Sequence, residues 1–323
     1  MENLNIYSEG IDGSLVFKRR SDGGRIMTVS PGGVVYPNQT GAMDYFVDLN
    51  TSNTVQDGYS WDTAFDTIAE AITASNASIG LSSNRWWARR NRIFVCGDGM
   101  GDPTPIELAT LPEKCDIIGC GSDLYPFPRV IGVHTIATAA VGCRFINMGF
   151  QATGTDHVLT AVAGCHGLSF LGCVFTAAIA GNTLALELTD CAHVRIQGCK
   201  FLTPGGAITT SIFALPISIA GTASIHDFEI SDNFIFGTAG IKVANGTTQG
   251  SVIARNIIRV TTGLNIEDLS DDVVCVDNRF INADAALAVG SFCDWNPLLA
   301  VGNLGTSDQA SSAAVPIAVV CTT

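Results

Sequence analysis

Two carboxylates, Asp227 and Glu229, stand two residues apart in the segment HDFEIS, and in an extended strand that spacing points both side chains to one face. A pair of acids facing a groove is what glycoside hydrolysis needs, one as proton donor and one as base or nucleophile. The plainer reading of the same spacing is the polar outer face of a half-buried strand. Glu267, Asp268, Asp271 and Asp272 crowd into a single short stretch, which reads first as a solvated acidic loop and alternatively as a set of oxygen ligands for calcium. Cys165-His166 and Cys191-Ala192-His193 offer the two thiols and two imidazoles of a tetrahedral zinc site. The two histidines are offset differently from their cysteines, however, and buried thiols with histidines in turns account for the same residues. No nucleophile elbow or hydrolase triad is legible, and Asp156-His157 is an isolated pair. No cofactor is expected.

Two basic groups point instead to contacts with other macromolecules. The run Arg85-Trp86-Trp87-Ala88-Arg89-Arg90-Asn91-Arg92 is the one dense basic and aromatic patch, and Trp and Arg dominate interface hot spots. It serves either to close the end of a core or to meet an acidic surface. Lys18, Arg19, Arg20 and Arg25 form a second basic group near the start of the chain.

The elements that must carry these residues emerge from a repeat. The segments NRIFVCGD, CDIIGCGS, CRFINMGF, LSFLGCVF, VRIQGCKF, FEISDNFI, SVIARNII, VVCVDNRF and LLAVGNLG share one pattern. Their sixth residues are Cys96, Cys120, Met148, Cys173, Cys199, Asn233, Asn256, Asn278 and Asn303, at intervals of 24, 28, 25, 26, 34, 23, 22 and 25. Self-similarity at such a period marks a stacked architecture. Three residues before each anchor stand Ile93, Ile117, Phe145, Phe170, Ile196, Ile230, Ile253, Cys275 and Ala300, all apolar. Short alternating strands of this kind have one face to bury, and a turn alone cannot bury it, whereas turns stacked about 4.8 Å apart cover one another. The anchor column changes from mostly Cys to all Asn after the longest interval; thiols pack as small hydrophobes, and stacked Asn amides can bond along the axis. The repeat predicts an all-β chain, a right-handed parallel β-helix of about nine turns, roughly 40 Å long at that rise.

Composition agrees with one elongated body. Of 323 residues, 15% are charged, and the mean hydropathy of +0.32 is high for so narrow a core, so part of the outer wall is expected to be covered by self-association. A net charge of −13 with four lysines argues against a nucleic-acid partner, which demands clustered cations. The most apolar stretch, Gly205 to Gly221, is broken by Thr, Ser and Pro216 and does not read as a membrane span. The opening MENLNIYSEG lacks the apolar segment of a secretory signal, and the eleven cysteines, six or more of them in repeat columns, read as free thiols.

Four regions follow: an attachment arm over 1–43, a capping segment over 44–90, the β-helix over 91–305, and a C-terminal cap or tail over 306–323. In the arm, Leu15 to Phe17, Ile26 to Val29 and Val34 to Tyr36 are short apolar runs separated by turn sequences, a two- or three-stranded piece that needs a partner. In the capping segment, Ser60 is placed as N-cap of an amphipathic helix with Trp61, Ala64, Phe65, Ile68, Ala69, Ala71 and Ile72 on its apolar stripe. Tyr45-Phe46-Val47-Asp48, Asp57-Gly58, Trp61-Asp62-Thr63-Ala64-Phe65, Thr67-Ile68 and Ala71-Ile72 together resemble the N-terminal cap of right-handed parallel β-helix proteins of bacteriophage virions, of the tail spike, fibre or capsid-decoration type, and of the pectate-lyase-like group.

That resemblance implies a virion-associated protein or a glycan-processing enzyme, and a trimer. Members that cleave glycans place Arg or Lys beside their acids on an exposed strand face, an arrangement the sequence around Asp227 and Glu229 does not repeat. The resulting expectation is a non-catalytic, homotrimeric structural protein, assembled in the host cytoplasm. It would contact other virion proteins through the arm or the Arg85 to Arg92 patch, with a host surface glycan as a further candidate partner. The alternative is a glycan depolymerase using Asp227 and Glu229.

Overall fold

The computed structural model describes residues 4–9, 14–19, 25–29, 35–37, 43–51, 54–79, 90–96, 101–102, 115–121, 128–136, 141–152, 157–177, 182–202, 213–221, 225–244, 249–268, 272–282, 292–295, 299–307 and 317–318. It is a right-handed parallel β-helix with three sheets of ten, ten and seven strands among these residues. The turn count differs from the nine expected. Seven turns carry all three strands, as many as the shortest sheet has, and less complete turns flank them.

Sheet 1 holds Asp44–Asp48, Arg92–Cys96, Asp116–Gly119, Arg144–Ile146, Ser169–Leu171, Arg195–Gln197, Glu229–Ser231, Ser251–Ala254, Val273–Val276 and Leu299–Val301, in that spatial order. Its register pairs Ile93 with Ile117, then Phe145, Phe170, Ile196, Ile230, Ile253, Cys275 and Ala300. This is the apolar column of the repeat, and Tyr45 extends it by one turn. The segment counted as cap from residue 44 therefore begins with a strand of the helix itself.

Sheet 2, also of ten strands, runs from Gly101–Asp102 to Ile317–Ala318, and the seven-stranded sheet 3 from His134–Ile136 to Cys293–Trp295. A sharp bend links sheet 1 to sheet 2, and the residue before the anchor makes it. Asn147, Gly172, Gly198, Asp232, Arg255, Asp277 and Gly302 all have φ between 53° and 71°. Gly, Asn and Asp take this left-handed conformation at low cost. Arg255 does not, and its guanidinium is held by two bonds to Asp232 of the preceding turn, at 2.8 and 2.9 Å.

The anchors then point into the core. Asn233, Asn256, Asn278 and Asn303 are buried, and the amides of Asn256 and Asn278 are used in full. The Asn256 Nδ2 donates to the Ile230 carbonyl at 2.8 Å and to the Asn278 Oδ1 at 3.0 Å. Its Oδ1 accepts the Asn233 backbone N–H at 3.0 Å and the Asn233 Nδ2 at 2.9 Å. The pattern repeats from Asn278 to Asn303. In the earlier turns, the thiols of Cys173 and Cys199 donate to the Phe145 and Phe170 carbonyls, each at 3.3 Å, the positions equivalent to Ile196 and Ile230. Cys96 and Cys120 are only half-buried, so the column is regular from Met148 onward. The ten described cysteines carry free thiols.

The helix runs over Ile68–Ile79 and packs Ile68, Ala71 and Ile72 against the first turns, while Trp61, Ala64 and Phe65, expected on its stripe, precede it. Its N-cap is not Ser60, whose hydroxyl meets the Thr63 hydroxyl at the short 3-10 turn Trp61–Thr63 without capping it. Thr67 and Glu70 cap the helix instead. The Thr67 Oγ1 accepts the Glu70 N–H at 3.3 Å, and the Glu70 carboxylate accepts the Thr67 N–H at 3.2 Å, a reciprocal pair that a lone Ser cannot match. The arm is a four-stranded antiparallel sheet, Leu4–Glu9, Ser14–Arg19, Arg25–Val29 and Val35–Pro37. The first of these strands is additional to those expected. No helix among the described residues is long and apolar enough to cross a membrane.

Candidate functional site

One residue before the apolar column, the outer face of sheet 1 carries a second column. The register aligns Asp44, Arg92, Asp116, Arg144, Ser169, Arg195 and Glu229 on successive turns. Acid and base alternate except at Ser169. Arg92 grips Asp44 with bonds of 2.9 and 3.0 Å. Asp116, nearly buried, receives both Arg90 and Arg144, and it holds the Arg144 guanidinium above its usual range. Arg195 meets Glu229 at 2.7 Å, and the Ser231 hydroxyl donates to the same carboxylate at 2.8 Å. Charges placed one turn apart on parallel strands lie close enough to pair, so the column fastens turn to turn.

Where Ser169 interrupts the alternation, an open groove of about 370 Å³ lies between Arg144, Ser169, Leu171, His193, Val194, Arg195, Asp227 and Glu229. The structure thus brings Asp227 and Glu229 to one groove. It does so differently from strand alternation: Asp227 is a left-handed turn residue with φ 54°, and only Glu229 is in the strand. Each carboxylate has its own partners. Glu229 is held by Arg195. The Asp227 Oδ2 lies 3.2 Å from the His193 Nδ1 and 3.0 Å from the His226 Nδ1. The cation missing from the sequence neighbourhood of Glu229 is supplied by Arg195, 34 residues earlier in the chain and one turn below.

The other sequence candidates fare differently. Glu267 and Asp268 belong to the strand Ile266–Asp268 of sheet 3 rather than to a loop, and Glu267 pairs with Lys242 at 2.7 Å. Asp272 is half-buried just before the next sheet 1 strand. Asp271 and the Asp268 side chain lie outside the described residues, so the four acids are not seen as one ligand set. Cys165 and Cys191 stack inside the core, where one thiol bonds the other and burial adds to the rise of Cys191. His193 points outward and is 60% exposed, while the His166 Nδ1 accepts the Ala192 N–H at 3.0 Å. The proposed zinc set is therefore split between the two faces of the wall. Arg85, Trp86, Trp87 and Arg89 lie outside the described residues, as do Arg20 and the side chains of Lys18, Arg19 and Arg25. Arg90 bonds the Gly142 carbonyl as well as Asp116, a commitment inside its own chain.

The charge column was open to inspection in the sequence, since it is the second letter of the first six repeat segments. The pairing of His193 with His226 and Asp227 was not, because it crosses the longest interval of the repeat. No family model matches the chain, and no curated protein matches it.

Proposed function

We propose that the chain is a structural, non-catalytic component of a bacteriophage particle, a homotrimeric β-helix that decorates the capsid or forms part of a tail spike or fibre. The observation that carries this reading is the way its polar groups are used. Inside, thiols and amides bond from turn to turn. Outside, Asp44, Asp116, Glu229, Asp232 and Glu267 each pair with a base from a neighbouring turn. Such an investment makes a stiff shaft, and it leaves Glu229 as the acceptor in an ion pair. A hydrolase would instead need one of the two acids to hold a proton. The cap-like segment from Tyr45 to Ile72 supports the assignment to virion proteins, and closed threefold assembly would cover apolar wall without forming filaments.

The test has two parts. Purified phage particles carrying the chain should contain it in stoichiometric, symmetrically placed copies, and the isolated protein should scatter light as a trimer; a stable monomer absent from particles contradicts the reading. A specific feature favours a second reading, contact with a host glycan: Ser169 leaves a neutral step between two arginines in an open groove. Release of reducing or unsaturated ends from capsular or pectic glycans, lost in Asp227→Asn or Glu229→Gln, would move the protein to the depolymerases.

A further inference from the structure

Asp227 belongs to a structural motif that occurs three times among the described residues, and one of these three has acquired imidazoles. Asp190, Asp227 and Asp277 all sit in left-handed turns. Each directs its Oδ1 over a glycine of the next turn, Gly221, Gly250 and Gly302, where a Cβ would come within 2.1 to 2.2 Å of that oxygen. The glycine leaves room for the carboxylate, and the motif needs nothing further. At Asp227 alone, the other carboxylate oxygen faces two histidines. His193 precedes Asp227 by one turn in the same column, since the His193 N–H bonds the His226 carbonyl at 3.0 Å, and His226 adjoins Asp227 in the chain. Two of the chain's five histidines thus meet at one oxygen, their rings at right angles with centroids 5.1 Å apart.

We infer that His193, His226 and Asp227 form a binding site for a divalent transition-metal ion such as zinc, a two-histidine, one-carboxylate set that bridges two turns of the helix. One donor atom from each residue lies within 4.8 Å of the others. The two nitrogens are 3.2 and 3.0 Å from the shared oxygen. Donors bound to zinc at about 2.0–2.2 Å in a tetrahedron stand about 3.3 Å apart, so small side-chain adjustments suffice. Nitrogen and carboxylate donors suit zinc, and a three-residue set keeps a position open. His193 and Asp227 also line the groove beside Arg195 and Glu229, so the remaining position opens toward a ligand there. Arg195, the nearest cation along the strand, is already neutralised by Glu229. The ion would fasten the turn of His193 to the turn of Asp227 where the repeat spacing is longest. This goes beyond the structural reading above and stands or falls independently of it.

The experiment uses the full chain, stripped with chelator and titrated with cobalt(II) and zinc(II) by absorption and calorimetry. One equivalent should bind. The cobalt spectrum should show ligand-field bands without the strong near-ultraviolet absorption of thiolate ligation, and the melting temperature should rise with zinc. Removing even an outer-shell partner costs about 10–100-fold in affinity, so His226→Gln and His193→Asn should each weaken binding by at least about tenfold. Asn keeps the left-handed turn of residue 193 accessible, and His226→Gln carries the test alone should His193→Asn fold poorly. Absence of saturable binding, binding unchanged in the histidine variants, or a thiolate spectrum would each overturn the site.

Discussion

The two halves of the solenoid place the same carbonyls under different side chains. From Met148 to Cys199, the anchors are a thioether and thiols, and the walls around them are aromatic. Phe145 stacks on Phe170 at 5.3 Å, Phe150 on Phe175 at 5.1 Å, and Phe175 on Phe201 at 4.7 Å with the rings 3° from parallel. From Asn233 to Asn303, the anchors are amides and the matching wall positions are Ile230, Ile253, Cys275, Ala300, Ile235, Ile258 and Phe280. A thiol has a single weak donor, so Cys173 and Cys199 can do no more than bond the carbonyl below and touch each other along the column. An amide donates to the same carbonyl and also joins the next amide. One half therefore depends on dispersion between stacked rings, the other on a continuous chain of hydrogen bonds. The fold asks only that the carbonyl be satisfied and the volume filled, and the sequence meets that demand in two ways.

The largest expected effect lies in the aromatic half. Phe175 is fully buried between two rings, and Phe175→Ala should cost about 3–5 kcal/mol, read as a drop in denaturation midpoint. A loss under about 1 kcal/mol would mean that the stack contributes little beyond ordinary contact. Alkaline pH should also weaken the turns that lead into this half. Burial pushes the Cys143 thiol up to about 12 and the Cys120 thiol up to about 11. Thiols of the unfolded chain ionise from about pH 8.5. Folded-state values above the unfolded one mean stability that is constant below about pH 8.5 and declines as the pH rises toward 11 and 12. Melting curves at rising pH should show this fall, and Cys143→Ala should reduce it.

Asn256→Ala comes next, at about 1–3 kcal/mol, because it leaves the Asn233 backbone N–H without its acceptor and takes one bond each from the Ile230 carbonyl, the Asn233 Nδ2 and the Asn278 Oδ1 in the core. Cys173→Ala should be smallest, about 0.5–1.5 kcal/mol for one weak bond to the Phe145 carbonyl. Equal losses for Asn256→Ala and Cys173→Ala would erase the distinction between the halves.

The part of the fold that depends on period was legible in the sequence. The apolar column from Ile93 to Ala300 and the amide column from Asn233 to Asn303 stand in the register the repeat implies, because an alternating strand with one buried face has no second way to stack. Residues whose position depends on partners outside the period were harder to place. Tyr45 joins the column from a segment whose likeness was to a cap. The Thr67 and Glu70 cap competed with an earlier Ser that looked equally suitable. Sheet 3 strands follow their anchors after unequal numbers of residues, so the Thr160, Glu187, Ser218, Lys242 and Glu267 column has no constant offset from the anchors. Of the candidate site, Asp227 and Glu229 were singled out in the sequence, with His226 next to Asp227 in the chain, but the partners His193 and Arg195 were not, since a contact across a turn boundary leaves no local pattern.

The amide ladder is tested most directly by hydrogen exchange at single residues. The backbone N–H groups of Asn233, Asn256 and Asn278 each donate to a buried side-chain oxygen of the following turn, and they should rank among the slowest to exchange in the protein. In Asn256→Ala, the Asn233 N–H loses its acceptor and should exchange much faster, while amides in the Phe145 to Phe201 turns keep their protection. Fast exchange of the three groups in the wild-type chain, or an Asn233 N–H indifferent to the loss of Asn256, would contradict a buried, continuous ladder.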